Sequence, residues 1–128
     1  MSMTLDVLDG HKYMSLKTFR KSGAEVATPV WFAREGNTLY VVTAANAGKV
    51  KRIRNNAQVE VAPSDMRGKL VGADYQPAQA RILNEAESKI AKRALDKKYG
   101  LMKRFLDGLA RVRGSVWIHI AITPALPE

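Results

Sequence analysis

Cysteine is absent from this 128-residue chain. Disulfides, thiolate nucleophiles and cysteine-ligated zinc are therefore excluded. Histidine is almost absent: only His11 and His119 occur, far apart in sequence. A metal site built on them would need carboxylates from elsewhere, and no spacing supplies them, so no metal site is expected. No apolar run approaches the ~20 residues of a membrane-spanning helix, so no membrane partner is expected. The stretch from Met1 to Lys12 carries Asp6 and Asp9 and lacks the apolar region of a secretory signal, which makes a cytoplasmic location the expectation. A Walker-type phosphate loop is excluded as well. It would place Gly at position 43 and Ser or Thr at position 50, where the chain has Thr43 and Val50.

What remains is ordinary in bulk and unusual in charge. Hydrophobic residues make up 46% and charged residues 26%, enough apolar material for one core, so residues 1–128 are expected to form a single domain. The balance of 21 basic and 12 acidic groups leaves a net charge of +9. Such a surplus favours anionic partners without choosing among nucleic acid, membrane surface and phosphate-bearing cofactor.

The first half of the chain reads as β-structure. Lys12–Phe19, Glu25–Ala33 and Thr38–Thr43 are β-type runs separated by the Gly-containing turns Arg20–Gly23 and Arg34–Asn37, a pattern of antiparallel hairpins. Pro29 cannot donate to a ladder and marks an edge, a bulge or a break. Ala47–Asn55 reads as a short helix and Gln58–Ala62 as a strand closed by Pro63, Ser64 and Asp65. Lys69–Ala73 and Ala78–Leu83 are further β-like stretches. Asn84 and Glu87 form a capping-box pattern, after which Ala86, Ile90, Ala91, Ala94 and Leu95 share one helical face as far as Gly100. A second helix fits Leu101–Val112. Ser115–Thr123 alternates as a closing strand. The whole predicts a mainly β fold, an antiparallel barrel or curved sheet with short peripheral helices.

The strongest local signal is the basic run after Gly48: Lys49, Lys51, Arg52 and Arg54. On a helix, Val50, Ile53 and Ala57 form an apolar stripe. Lys49 and Arg52 then lie about 60° apart on one flank, and Lys51 and Arg54 on the other. Lys49 falls in the first turn, where unpaired backbone amides and the helix dipole suit a phosphate, and Arg52 can add a bidentate fork. A solvated helix face and a nucleic-acid surface are the competing readings. The latter lacks interleaved aromatics or an RNP-type motif.

Other marked residues have plainer readings. Trp31 and Trp117 on strands suit core or interface positions. His119 alternates with Ile118 and Ile120 and is expected to face the opposite side. Lys97 and Lys98 suit a helix C-terminus. Arg67, beside Gly68 at the entry to a strand, is a surface residue that can also reach a ligand beside the sheet.

Taken together, these runs resemble a known family. The carriers are TPVWFA (Thr28–Ala33), the spacing Thr43, Lys49, Arg52, the strand Val59–Ala62 and the run Asp65–Lys69. AQARIL (Ala78–Leu83), KKYG (Lys97–Gly100) and the closing strand continue the match, which covers about Lys12–Thr123. The chain is similar to the split β-barrel flavin and deazaflavin proteins of the pyridoxamine 5'-phosphate oxidase-like superfamily, and more closely to their F-420-dependent branch.

That resemblance implies a split-barrel homodimer with cofactor sites at the subunit interface. The phosphate of FMN or F-420 would sit on Lys49 and Arg52, assisted by Thr43, Ala47 and Gly48. Backbone of Thr28, Pro29, Val30 and Trp31 would run beside the ring system. Arg67 and Lys69 would add a second anionic contact, and Trp117 would reach the partner's site. Ala45 and Ala47 depart from relatives that carry a polar residue there.

The implied activity is an oxidoreductase that transfers hydride to a small unsaturated, quinone-like or nitro-type substrate, with no essential catalytic side chain, since the cofactor carries the chemistry. No nucleic-acid partner is expected. The alternatives are a non-catalytic flavin or deazaflavin carrier or sensor, and a basic nucleic-acid-binding module.

Overall fold

Alternation along the strands determines which side of the sheet is dry. Side chains of a strand point to opposite faces in turn. In β1 (Tyr13–Phe19) Met14 and Leu16 enter the core, and the buried Thr18 shares their face. In β4 (Thr38–Ala44) Leu39, Val41 and Thr43 do so, and in β7 (Trp117–Pro124) Ile120 and Ile122. The computed structural model describes residues 5–100 and 116–125. Within them, a 3-10 turn (Leu5–Leu8) precedes β1, β2 (Glu25–Trp31), β3 (Ala33–Glu35) and β4. Then come α1 (Gly48–Asn55), β5 (Gln58–Ser64), β6 (Gln76–Ile82), α2 (Glu85–Tyr99) and β7. The expected helix Leu101–Val112 lies outside the described residues.

All the strand pairings are antiparallel, and the sheet order is β2-β1-β5-β6-β7-β4-β3. The first and last strands in that order are consecutive in the chain, separated only by Phe32. One extended stretch therefore leaves the ladder with β1 and joins the ladder with β4, so the sheet curls back on itself as a split barrel. Phe32, Leu39, Val41, Ile120 and Ile122 pack in one interior cluster with Met14, Leu16, Val59 and Val61. Each such side chain contributes roughly 1.5–3 kcal/mol relative to exposure. Val50 and Ile53 of α1 are buried, and Ile53 joins the interior cluster, so α1 is anchored to the barrel by one apolar edge. α2 packs on the outside instead. Its Ala94 and Leu95 meet Ala33, Tyr40 and Val42, and its Ala91 meets Leu83 and Ala121.

Several sequence expectations shift. Of the edge, bulge or break expected at Pro29 the structure has the edge, and the strand breaks at Phe32 instead. Pro29 stays in register opposite Ser15, tolerated because β2 is ladder-paired on one side only. Lys69–Ala73 is not a strand: a single bridge joins Ser64 and Leu70, and Gly68 and Gly72 bracket the segment at φ 91° and 93°, which ends any extended run. β5 continues through Pro63 and Ser64, which pair with Met14 and Tyr13. The capping box of Asn84 and Glu87 forms as expected, but Ile90 is 48% exposed and Ala86 is exposed. The buried stripe of α2 is Ala91, Ala94 and Leu95, because only those positions meet the curved outer wall. Among the described residues no helix is long and apolar enough to cross a membrane.

Candidate functional site

α1 begins at Gly48 with Ala47 as a cap that offers no side-chain acceptor. A methyl side chain cannot hold the amides of the first turn; Val50 N–H donates to the Ala47 carbonyl at 3.1 Å, which leaves those of Gly48 and Lys49 for a ligand. The apolar edge of the helix, Val50 and Ile53, is pinned inward. Ala57, expected to extend that edge, lies beyond the helix and is exposed, because Asn56 ends the helix with its N–H on the Arg52 carbonyl at 2.8 Å.

The opposite side of α1 faces a groove of about 360 Å³. Its lining is Arg20 and Lys21 from the β1–β2 turn and Gly48, Lys51, Arg52 and Asn55 from the helix. Four of these six residues are cationic and none is acidic. Arg52 is held at the centre. Its Nε donates to Thr18 Oγ1 at 2.6 Å, and its Nη1 lies over Gly48. Gly48 makes the room: a Cβ there would fall 2.7 Å from Arg52 Nη1. Desolvation by burial, and then the neighbouring Arg20, push the Arg52 pKa down. Lys49 is also pushed down, first by desolvation and then by Arg52. In both, burial is the larger cause and the neighbouring cation adds to it.

The expected pairing of cations therefore changes. Arg52 is in the groove as anticipated. Its companions there are Lys51, Arg20 and Lys21, whereas Lys49 sits half-buried beside Arg52 and does not line the groove. Thr43 is buried on β4 opposite Ile118. Ala47 closes a turn with its N–H on the Ala44 carbonyl at 3.0 Å.

The strand Thr28–Trp31 forms a second cluster along β2. Thr28, Pro29, Val30 and Trp31 oppose Leu16, Ser15, Met14 and Tyr13. Thr28 and Val30 thus point inward, and Val30 is buried in the core. Pro29 and Trp31 point outward. Trp31 stacks on Tyr99 at 5.1 Å between ring centroids. Ser15 and Thr18 lie three residues apart on β1, so Pro29 sits roughly 10 Å along the strand from the contact that fixes Arg52.

Arg67 belongs to this second cluster. Its amide and that of Lys69 donate to Asp65 Oδ1 at 2.8 and 3.0 Å, which holds the Asp65 carboxyl below the usual range. The resulting tight loop rests on β2, with the Gly68 Cα side facing Pro29 Cδ closely enough that a Cβ would be 3.5 Å away. Farther along, Tyr75 hydrogen bonds to the buried Ser15 hydroxyl at 2.7 Å, and Lys17 Nζ lies 3.9 Å from the Tyr75 ring centroid. The segment from Asp65 to Tyr75 thus covers the outer face of β1 and reaches β2.

Sequence reading missed Arg20, Lys21, Thr18 and Tyr99 as site neighbours. Arg20 and Lys21 were legible only as a basic turn. Their convergence with α1 depends on the Thr18–Arg52 contact, which spans 34 positions. Tyr99 was legible only as part of a helix end.

Comparison with known proteins gives a consistent assignment. The family model for pyridoxamine 5'-phosphate oxidase matches residues 4–123. No curated protein matches. Among solved structures, HutZ, the heme storage protein from Vibrio cholerae, superposes with a TM-score of 0.69 at 15% identity, covering 95% of this chain and 87% of that one. A FAD-binding protein from Mesorhizobium loti gives 0.63 at 12% identity, covering 96% and 89%. An F420-H2-dependent reductase, FDR-A, gives 0.61 at 14% identity, covering 87% and 93%. At these identities the structural likeness speaks to the fold alone.

Proposed function

The chain belongs to the pyridoxamine 5'-phosphate oxidase family, and from that premise we propose that it is an oxidoreductase binding a flavin or deazaflavin cofactor, FMN or F-420. The carrying observation is Arg52. Its guanidinium is oriented by Thr18, given space by Gly48 and left without an acidic neighbour in the groove. The cofactor phosphate would be held by Arg52, with Lys51 beside it in the groove, Lys49 and the first amides of α1 behind, and Ala47 and Thr43 shaping the turn. The second cluster completes the site. Roughly 10 Å along β1 from the Thr18 contact, β2 has a free edge. There the backbone of Thr28, Pro29, Val30 and Trp31 meets the ring, and Arg67 lies on its rim.

When bound, the cofactor supplies hydride transfer. The protein binds it, orients it against β2 and excludes water. No side chain of this chain is assigned a proton-transfer role. The acceptor is a small unsaturated, quinone-like or nitro-type molecule. Residues 1–128 act as one domain of a homodimer in the cytoplasm, with the site completed at the subunit interface and Trp117 turned toward the partner. Neighbours named as a FAD-binding protein and an F420-H2-dependent reductase support the cofactor class. One named for heme storage supports a second reading, a carrier that binds a large conjugated ring without turnover.

Titration of the purified protein with FMN and F-420, followed by absorbance and calorimetry, tests the proposal. At about 1.5–3 kcal/mol per charged contact, Arg52→Gln should weaken the bound cofactor by roughly 10- to 150-fold. Equal affinity in wild type and variant, or no binding of either cofactor, would refute it. Turnover with reduced cofactor and a panel of acceptors separates the enzyme from the carrier.

A further inference from the structure

The groove beside α1 is more positive than one phosphate requires. Its volume is about 360 Å³, and two separate elements, α1 and the β1–β2 turn, line it. The charge is in excess. A phosphate monoester carries about −1.5 to −2 at neutral pH, which leaves about two of the four lining cations without compensation.

These surplus cations sit on a separate wall. Lys51, Arg52 and Asn55 come from the helix, while Arg20 and Lys21 come from the β1–β2 turn. That turn is fixed by the Arg20 N–H on the Ala24 carbonyl at 2.9 Å and the Gly23 N–H on the Arg20 carbonyl at 2.8 Å. Gly23 provides the positive φ of 90° that the turn needs. The Thr18–Arg52 hydrogen bond joins the two walls at their base, two residues before Arg20. Like charges on two tethered walls repel each other, and this cost is relieved by an anion that touches both.

We infer that this groove is a two-anion site: Arg52 and Lys51 take one phosphate, and Arg20 and Lys21 take a second anionic group linked directly to it. The favoured ligands carry two adjacent anionic groups, as a diphosphate does, so of the two cofactors proposed above the site favours F-420, whose tail adds carboxylates beside its phosphate, over the terminal monophosphate of FMN. This deepens the cofactor reading above and rests on it only for the identity of the ring.

Calorimetry at fixed ionic strength with inorganic phosphate and inorganic pyrophosphate tests the inference. Wild type should prefer pyrophosphate by about tenfold or more. The double substitution Arg20→Gln with Lys21→Gln, on an exposed turn, should bring that preference to within about twofold and leave phosphate affinity little changed. Lys89→Gln with Lys92→Gln, which removes the same charge from the exposed face of α2, should leave the preference intact. Loss of preference in both double variants would mean a diffuse field instead of a site, and would overturn the inference. So would no preference in wild type, or tighter and steeply salt-dependent binding of an RNA oligonucleotide.

FMN and FAD supply the second arm. Equal affinity for both overturns the two-anion site and leaves the cofactor proposal standing. A pyrophosphate preference that depends on Arg20 and Lys21, with no binding of FMN, FAD or F-420, leaves the site standing and removes the cofactor proposal.

Discussion

The Tyr99 hydroxyl occupies the gap in the barrel seam at Phe32. It accepts the Phe32 N–H at 3.0 Å and lies within hydrogen-bond distance of the Phe32 and Lys12 carbonyls, while the Tyr99 ring stacks on Trp31. Where the chain leaves one ladder and joins the next, a backbone N–H and C=O lose their strand partners, and a buried orphan pair is costly. One hydroxyl from the end of α2 satisfies both. It thereby ties α2 to the strand on which the proposed ring site lies.

Tyr99→Phe should therefore keep the stack on Trp31 and lose the seam. The expected cost is about 1–3 kcal/mol, measurable by chemical denaturation, with faster amide exchange at Phe32 than at Val59 or Val61. A pH signature accompanies it. Burial raises the Tyr99 pKa to about 12, with the Phe32 backbone partly opposing and Tyr13 adding to the rise. A raised pKa means the folded state holds its proton longer than the unfolded state. The stabilisation is complete below the ordinary tyrosine range near 10 and is lost as pH climbs toward 12. That part of the alkaline decline should be missing in Tyr99→Phe.

Gly48→Ala separates folding from binding. The new Cβ would press on the guanidinium of Arg52 at 2.7 Å and turn it aside from the orientation Thr18 sets. Helix propensity itself favours alanine, by up to about 1 kcal/mol. Stability should be unchanged or slightly improved, while affinity for inorganic phosphate falls by roughly tenfold. Unaltered phosphate affinity in a folded variant would show that the Arg52 orientation does not matter.

Ser15 and Tyr75 should behave as a coupled pair. Ser15 is 1% exposed, and its hydroxyl meets the Tyr75 hydroxyl at 2.7 Å. Tyr75→Phe leaves the buried Ser15 hydroxyl without that partner and should destabilise by about 1–3 kcal/mol. Ser15→Ala with Tyr75→Phe should cost less than the two single changes summed, since both partners are then removed. A denaturation cycle showing strict additivity would refute the coupling.

Much of the local structure was legible from period alone. Leu39, Val41 and Thr43 alternate in the sequence and alternate in the barrel wall. Asn84 and Glu87 announce a helix start three residues apart, and the reciprocal hydrogen bonds at 2.8 and 3.2 Å follow from that spacing. Gly48 and Arg52 could be placed on one helix because they are one turn apart. Ile90 and Ala57 misled for the same reason: a helical stripe marks apolar positions, not the curvature of the wall that buries only some of them.

Patterns of charge, spacing and periodicity determined most of the strands, the two described helices and the basic character of α1. Only the tertiary structure decided which cations share a groove, since Arg52 reaches Arg20 through Thr18, 34 positions away. It also decided where the barrel closes, since Phe32 finds its partner in Tyr99, 67 positions away. A local pattern carries the energies of neighbours in sequence. Convergence of distant side chains depends on how strongly the sheet curls, and that is set by the packing of the whole interior.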